Sequence, residues 1–146
     1  MDNWLKWIVS IVGGALAAFF QQYGLFIALV AVAVVLDVIT GIVKAKATGE
    51  GLSSKRATQG FWKKISLFVG LFFGIFLDYA ALTVFAEAGV DISVKMPFAL
   101  IIACYIVLNE CISIAENLVM INPEIMPKWV SKLLKVAKED IDKKND

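Results

Sequence analysis

Histidine is absent from this chain. Its absence removes the commonest general base and a favoured transition-metal ligand. Cysteine is scarce: Cys104 and Cys111 are the two present, too far apart for a CxxC redox or zinc motif. On one helical face they stand two turns apart, about 10 Å along the axis, beyond the reach of an intrahelical disulfide. They read as small packing residues. Neither charge is in clear excess, with 14 Lys and Arg against 13 Asp and Glu, so net charge points to no nucleic-acid partner and the information lies in where the charges sit. Also missing are a nucleophile beside a base, a Gly-rich phosphate loop followed by Lys-Ser/Thr, and ligands at metal spacing. No enzyme emerges, and no cofactor or metal is called for. Internal repeats and low-complexity segments are absent as well.

What the sequence has instead is hydrocarbon. Hydrophobic residues make up 60% of it and mean hydropathy is +0.78, well above the roughly 45–50% apolar content of ordinary globular chains. It reads as an all-α integral membrane protein. Apolar runs cover 4–20, 25–43, 65–86 and 96–121. The last three are long enough to cross a hydrocarbon core of about 30 Å, and the first is at the lower limit, so three to four transmembrane helices are expected. The first run lacks a convincing small-x-small cleavage site and reads as a mature helix rather than a signal peptide. Residues 1–121 form the transmembrane domain in this reading, and 122–146 a tail.

Orientation follows from lysine placement. The connection 44–64 carries Lys44, Lys46, Lys55, Arg56, Lys63 and Lys64 against the single acid Glu50, which assigns it to the cytoplasm by the positive-inside rule. The 87–95 connection, with Glu87, Asp91 and only Lys95, belongs outside. After Pro123 and Pro127 the tail has Trp129, Leu133, Ala137 and Ile141 at four-residue spacing among lysines. That pattern predicts a basic amphipathic helix on the cytoplasmic side, either a solvated helix packed against its own cytoplasmic loop or, the favoured reading, one docked on anionic headgroups.

Polar residues inside the apolar runs are the candidate functional positions. Ser66, Gly70, Gly74 and Asp78 recur every four residues in the third run, a small-residue face suited to close helix approach. Ser10, Gly14 and Ala18 form a similar ladder in the first. Asp37, Thr40 and Gly41 lie toward the cytoplasmic end of the second run. In the fourth, Asn109, Glu110, Ser113, Glu116 and Asn117 fall within an arc of about 120° at 100° per residue. A carboxylate at mid-membrane costs on the order of 2.5–3.5 kcal/mol on insertion scales. In a compact bundle this stripe is therefore expected to face Asp37 and the Gly70/Gly74 face, with its acids largely protonated.

Three patches carry a family resemblance: "LDVITGIVKA" (36–45), the basic loop with Ser53, Ser54, Gly60, Lys63 and Lys64, and "LNECISIAENLVMINPEIMPKWV" (108–130). Together they span roughly residues 25–140, and the chain resembles the toxin-secretion/phage-lysis holins. The resemblance implies a small multi-pass protein of the bacterial cytoplasmic membrane whose partners are the lipid bilayer and copies of itself. It further implies timed permeabilisation that releases an endolysin or a toxin without a required direct contact. The family has no catalytic residues to carry over, so the matching positions Asp37, Thr40, Gly41, Glu110, Ser113, Glu116 and Asn117 transfer as structural or pore-forming candidates. A small proton-coupled transporter or ion channel is the competing reading, and a structural or regulatory membrane subunit a third.

Overall fold

The computed structural model describes residues 3–49, 51, 53–91, 93, 96–127, 129–130 and 132. Helix is the regular structure throughout these residues: α1 (Asn3–Ala47), α2 (Ser54–Glu87) and α3 (Pro97–Ile121). All three are long and apolar enough to cross a membrane. Helices suit that solvent because every backbone N–H and C=O can be satisfied within the segment.

α1 differs from expectation. The polar step at Gln21, Gln22, Tyr23 and Gly24 does not divide it, and the helix runs unbroken for 45 residues, roughly 67 Å at 1.5 Å per residue. Glutamine is a good helix former, and a single glycine without proline costs only about 1 kcal/mol. Burial divides α1 where the backbone does not. Residues 4–18 are exposed along their whole length, whereas Tyr23, Val30, Ala33 and Val34 are buried. The spacing of those buried positions is one helical stripe.

α3 is the central element; α1 and α2 each lie against it and meet one another only sparingly. Its buried face is Ala99, Ala103, Ile106, Glu110 and Asn117. Small residues at one end admit close neighbours, and polar ones at the other require partners. On α2 the buried residues are Leu71, Gly74, Ile75 and Asp78. The core joins Tyr23, Val30 and Val34 of α1 to Leu71 and Ile75 of α2 and Ala99, Ala103 and Ile106 of α3.

α2 begins at Ser54, so most of the expected 44–64 connection is helix and the true turn is brief. Its other end closes with a Schellman arrangement. The Val90 N–H donates to the Phe85 carbonyl at 2.9 Å and the Gly89 N–H to that of Ala86 at 3.1 Å, with Gly89 at φ +72, a left-handed position that glycine adopts without a Cβ clash. Beyond α3 the chain leaves the helix at Asn122. The amphipathic helix expected around Leu133, Ala137 and Ile141 lies outside the described residues.

The small-residue ladders are used unevenly. A Cβ on Gly74 would stand 2.8 Å from Cδ1 of Ile102 and 3.3 Å from the Ala99 backbone, whereas one on Gly70 would meet nothing within 4 Å. Four residues advance a helix by 400°, so a ladder of that spacing drifts about 40° per step. Gly74 and Asp78 reach the α3 interface, and Ser66 has turned outward. Gly13 and Gly14 likewise have open space around them. Cys104 and Cys111 are exposed and free, so they are surface rather than core residues of this bundle.

Candidate functional site

Two buried polar sites lie at opposite ends of the helix interfaces. The first is structural. Asp78 is fully buried, and its carboxylate accepts the Phe98 N–H at 2.8 Å and the Ala99 N–H at 3.0 Å. These are first-turn amides of α3, which no carbonyl of their own helix can satisfy. Pro97 occupies the first helical position, where its missing N–H is harmless. A carboxylate at a helix N-terminus also meets the positive end of the macrodipole. Asp78 thus caps a neighbouring helix.

The second site joins all three helices through one cation. Lys64 on α2 places its Nζ 2.7 Å from Oδ2 of Asp37 on α1 and pairs also with Oε2 of Glu110 on α3. Glu110 is 1% exposed, while the Lys64 and Asp37 side chains are 15% and 12% exposed. Around this trio the remaining polar atoms interlock. Asn117 Nδ2 donates to Oδ1 of Asp37 at 3.3 Å and to the Thr40 hydroxyl at 3.2 Å. The Thr40 hydroxyl in turn donates to the Asp37 carbonyl at 3.0 Å. Gly41 lies against the Asn117 amide, where a Cβ would stand 3.7 Å from it. Among the described residues no buried side-chain N or O lacks a partner.

Of the sequence candidates, Asp37, Thr40, Gly41, Glu110 and Asn117 therefore converge on one centre. Asn109, Ser113 and Glu116 are half-buried, and Ser113 lines the cavity beside the centre. From the stripe of α3, Asn117 reaches Asp37 directly and Glu110 reaches it through Lys64, while Gly70 and Gly74 lie away from this centre. Gly74 packs against Ala99 and Ile102, nearer the other end of α3, and Asp78 belongs to that end as well. The element facing Glu110 is Lys64, which sequence reasoning assigned to a loop. Its counter-charge changes the electrostatics from those expected of acids neutralised by protonation alone. A signal for it existed. Lys64, Leu67, Leu71, Gly74 and Asp78 recur at helical spacing, so extending the buried stripe of α2 back two turns lands on the lysine.

A cavity of about 720 Å³ opens beside this centre, between the Lys44 end of α1 and the Arg56 end of α2. Val34, Val38 and Ile42 form one wall, Phe61, Ile65 and Phe68 the other, with Asp37, Lys64 and Asn117 between them. Among the described residues no group of His, Cys, Asp and Glu could hold a metal ion. The arrangement offers hydrogen bonding and a balance of buried charge.

Comparison with known proteins decides the family. The bacteriophage holin family model matches residues 14–139. The chain belongs to the bacteriophage holin family. An uncharacterized protein of Halalkalibacterium halodurans is 26% identical over 143 residues, covering 98% of this chain and 100% of that one. No solved structure matches. Lys64, the acids it joins and the Asp78 cap all fall within the matched span of this holin-family chain.

Proposed function

We propose that this protein is a holin that accumulates in a bacterial cytoplasmic membrane, self-associates, and permeabilises that membrane at a set time, releasing a muralytic enzyme or a toxin. Its membership of the holin family is the observation that carries the reading. The Lys44–Lys64 side and the tail are cytoplasmic in this proposal, because basic residues concentrate there.

The buried trio supplies a mechanism for staying closed. Lys64 ties α2 to both α1 and α3, so separating the helices exposes an ammonium and two carboxylates at once. In hydrocarbon that exposure is costly; in a water-lined assembly it is not. The same polar groups thereby hold the compact protomer together and suit the wall of a lesion, and the equilibrium between the two states sets when opening occurs.

Induction in a bacterium with and without a cytosolic muralytic enzyme tests this, following membrane potential and turbidity together. A holin gives abrupt depolarisation after a delay, with turbidity falling only when the enzyme is present. The ionisable trio beside a cavity also suits a small proton-coupled transporter or ion channel. Saturable solute flux in cells that stay intact is the outcome that selects it and rejects the holin reading.

A further inference from the structure

Asn109 stands at the centre of α3, midway between Pro97 and Ile121. At 1.5 Å per residue that is about 18 Å from either end, the middle of a hydrocarbon core of about 30 Å. Its side chain is half-buried. Every fully buried side-chain N and O among the described residues has a partner, but the Asn109 amide makes no hydrogen bond to any of these residues. The polar groups beside it are turned elsewhere: Glu110 is held by Lys64, Asn117 by Asp37 and Thr40, and Glu116 is engaged as well. An amide without a partner at this depth is costly, because lipid tails neither donate to it nor accept from it.

We propose that Asn109 is the centre of a contact between two copies of this chain, in which α3 lies against α3 and each Asn109 Nδ2 donates to the other's Oδ1. The proposal rests on the self-association already proposed for the chain and names the face that carries it. Copies inserted in one orientation and related by a two-fold axis along the membrane normal place each residue level with its own counterpart. An amide is both donor and acceptor, so it is complementary to itself. Tyr105 and Ile112 flank Asn109 at the four- and three-residue steps of a helix–helix seam, in which a single Asn fixes register and pairing. Tyr105 is 69% exposed and Ile112 half-buried, so apolar surface is available on both sides of the amide. The chain's own tail suits this place poorly: residues 122–146 carry six lysines and five acids, and reaching mid-membrane would take charges of both signs out of water.

The test is disulfide trapping of the full chain in bacterial membranes, with one cysteine per chain and copper phenanthroline as oxidant. Asn109→Cys with Cys104→Ser and Cys111→Ser should give a linked dimer. Chains keeping only Cys104 or only Cys111 should not, because those positions lie about 140° and about 160° around the helix from Asn109. In detergent, Asn109→Leu should weaken dimerisation about three- to thirtyfold by sedimentation, which corresponds to roughly 0.6–2 kcal/mol for a hydrogen bond between membrane helices, and Asn109→Gln should keep most of it. Circular dichroism verifies that the helices remain in both variants. If Asn109→Cys links no faster than Cys104, or if Asn109→Leu dimerises as the unmodified chain does, the contact lies on another face and the proposal fails while the holin reading stands. Modification of Asn109→Cys by a water-soluble thiol reagent, without crosslinking, would show the amide facing water and would also overturn it. A chain monomeric at every concentration would overturn both this contact and the self-association on which it rests.

Discussion

Lys64 decides the chemistry of the bundle interior because it is one ammonium facing two carboxylates. With both acids ionised the trio carries a formal charge of −1; removing either partner type moves that balance in opposite directions. Lys64→Gln leaves Asp37 and Glu110 facing each other without a cation, and breaking a buried ion pair by deleting one partner costs about 3–5 kcal/mol. The closed bundle should weaken and permeabilisation should come early at matched membrane abundance. Glu110→Gln leaves a one-to-one pair of Lys64 with Asp37 and keeps hydrogen-bonding capacity, so the closed bundle should strengthen and permeabilisation should be delayed. Depolarisation time after induction, read with membrane abundance by immunoblot, checks the signs. Shifts in the same direction for Lys64→Gln and Glu110→Gln would rule out charge balance as the cause. Asp78 makes a separate residue-scale case. Asp78→Ala strips two first-turn amides of their acceptor, at about 1–3 kcal/mol for each buried group left unsatisfied, and Asp78→Asn should recover part of the loss by retaining one carbonyl. Thermal unfolding in detergent followed by circular dichroism should rank Asp78 above Asn above Ala.

At the scale of the helices, Gly74 and Gly70 form a matched pair of tests. A leucine at Gly74 has to displace Ile102 and the Ala99 backbone, whereas one at Gly70 enters open space. Overpacking a tight contact costs about 1–3 kcal/mol, and substitutions away from such contacts usually stay within about 0.5 kcal/mol. Gly74→Leu should lower the melting temperature and loosen α2 from α3; Gly70→Leu should leave both unchanged in the isolated protomer. Equal melting temperatures for the two variants would place the α2–α3 contact elsewhere. The pair also shows what the sequence made legible. Apolar runs of about 20 residues revealed the helices because lipid leaves little else possible, and the α3 stripe revealed Glu110 and Asn117 because polar groups there stand out against hydrocarbon. A four-residue ladder, by contrast, shows which residues share a face only over a turn or two before drift separates them, so Gly70 and Gly74 looked equivalent. Lys64 stayed hidden for another reason: a lysine near the end of an apolar run fits the positive-inside pattern whether it lies in a loop or inside the bundle. The start of α2 went unseen with it, since "SKRATQGFWKK" has a loop's composition and becomes helical ahead of its apolar run. At Gln21–Gly24, local polarity suggested a break that helix propensity did not require.

For the molecule as a whole, the length of α1 sets the topology. At roughly 67 Å its 45 residues exceed the hydrocarbon core of about 30 Å. Tilted by 40°, the upper end of the usual range, it still rises about 51 Å, slightly more than the 40–45 Å that include both headgroup layers. A single crossing is the expected outcome for such a helix, which would put Lys44 and Lys46 at one surface and the exposed Trp4 and Trp7 at the other, where indole rings favour the headgroup level. Residues 6 and 93 are then on one side of the membrane and residue 54 on the other. A break at Gln21–Gly24 would instead create a fourth span and return residue 6 to the cytoplasm. Single cysteines at Lys6, Ser54 and Ser93, in a background with Cys104 and Cys111 replaced by serine, distinguish these arrangements with an impermeant thiol reagent applied to intact cells. Ser93→Cys and Lys6→Cys should label from outside, and Ser54→Cys only after the membrane is opened. Protection of Lys6→Cys alongside labelling of Ser93→Cys would mean that α1 divides on insertion and the bundle has four crossings. Labelling of Ser54→Cys from outside would invert the molecule and place the Lys44–Arg56 mouth in the outer leaflet.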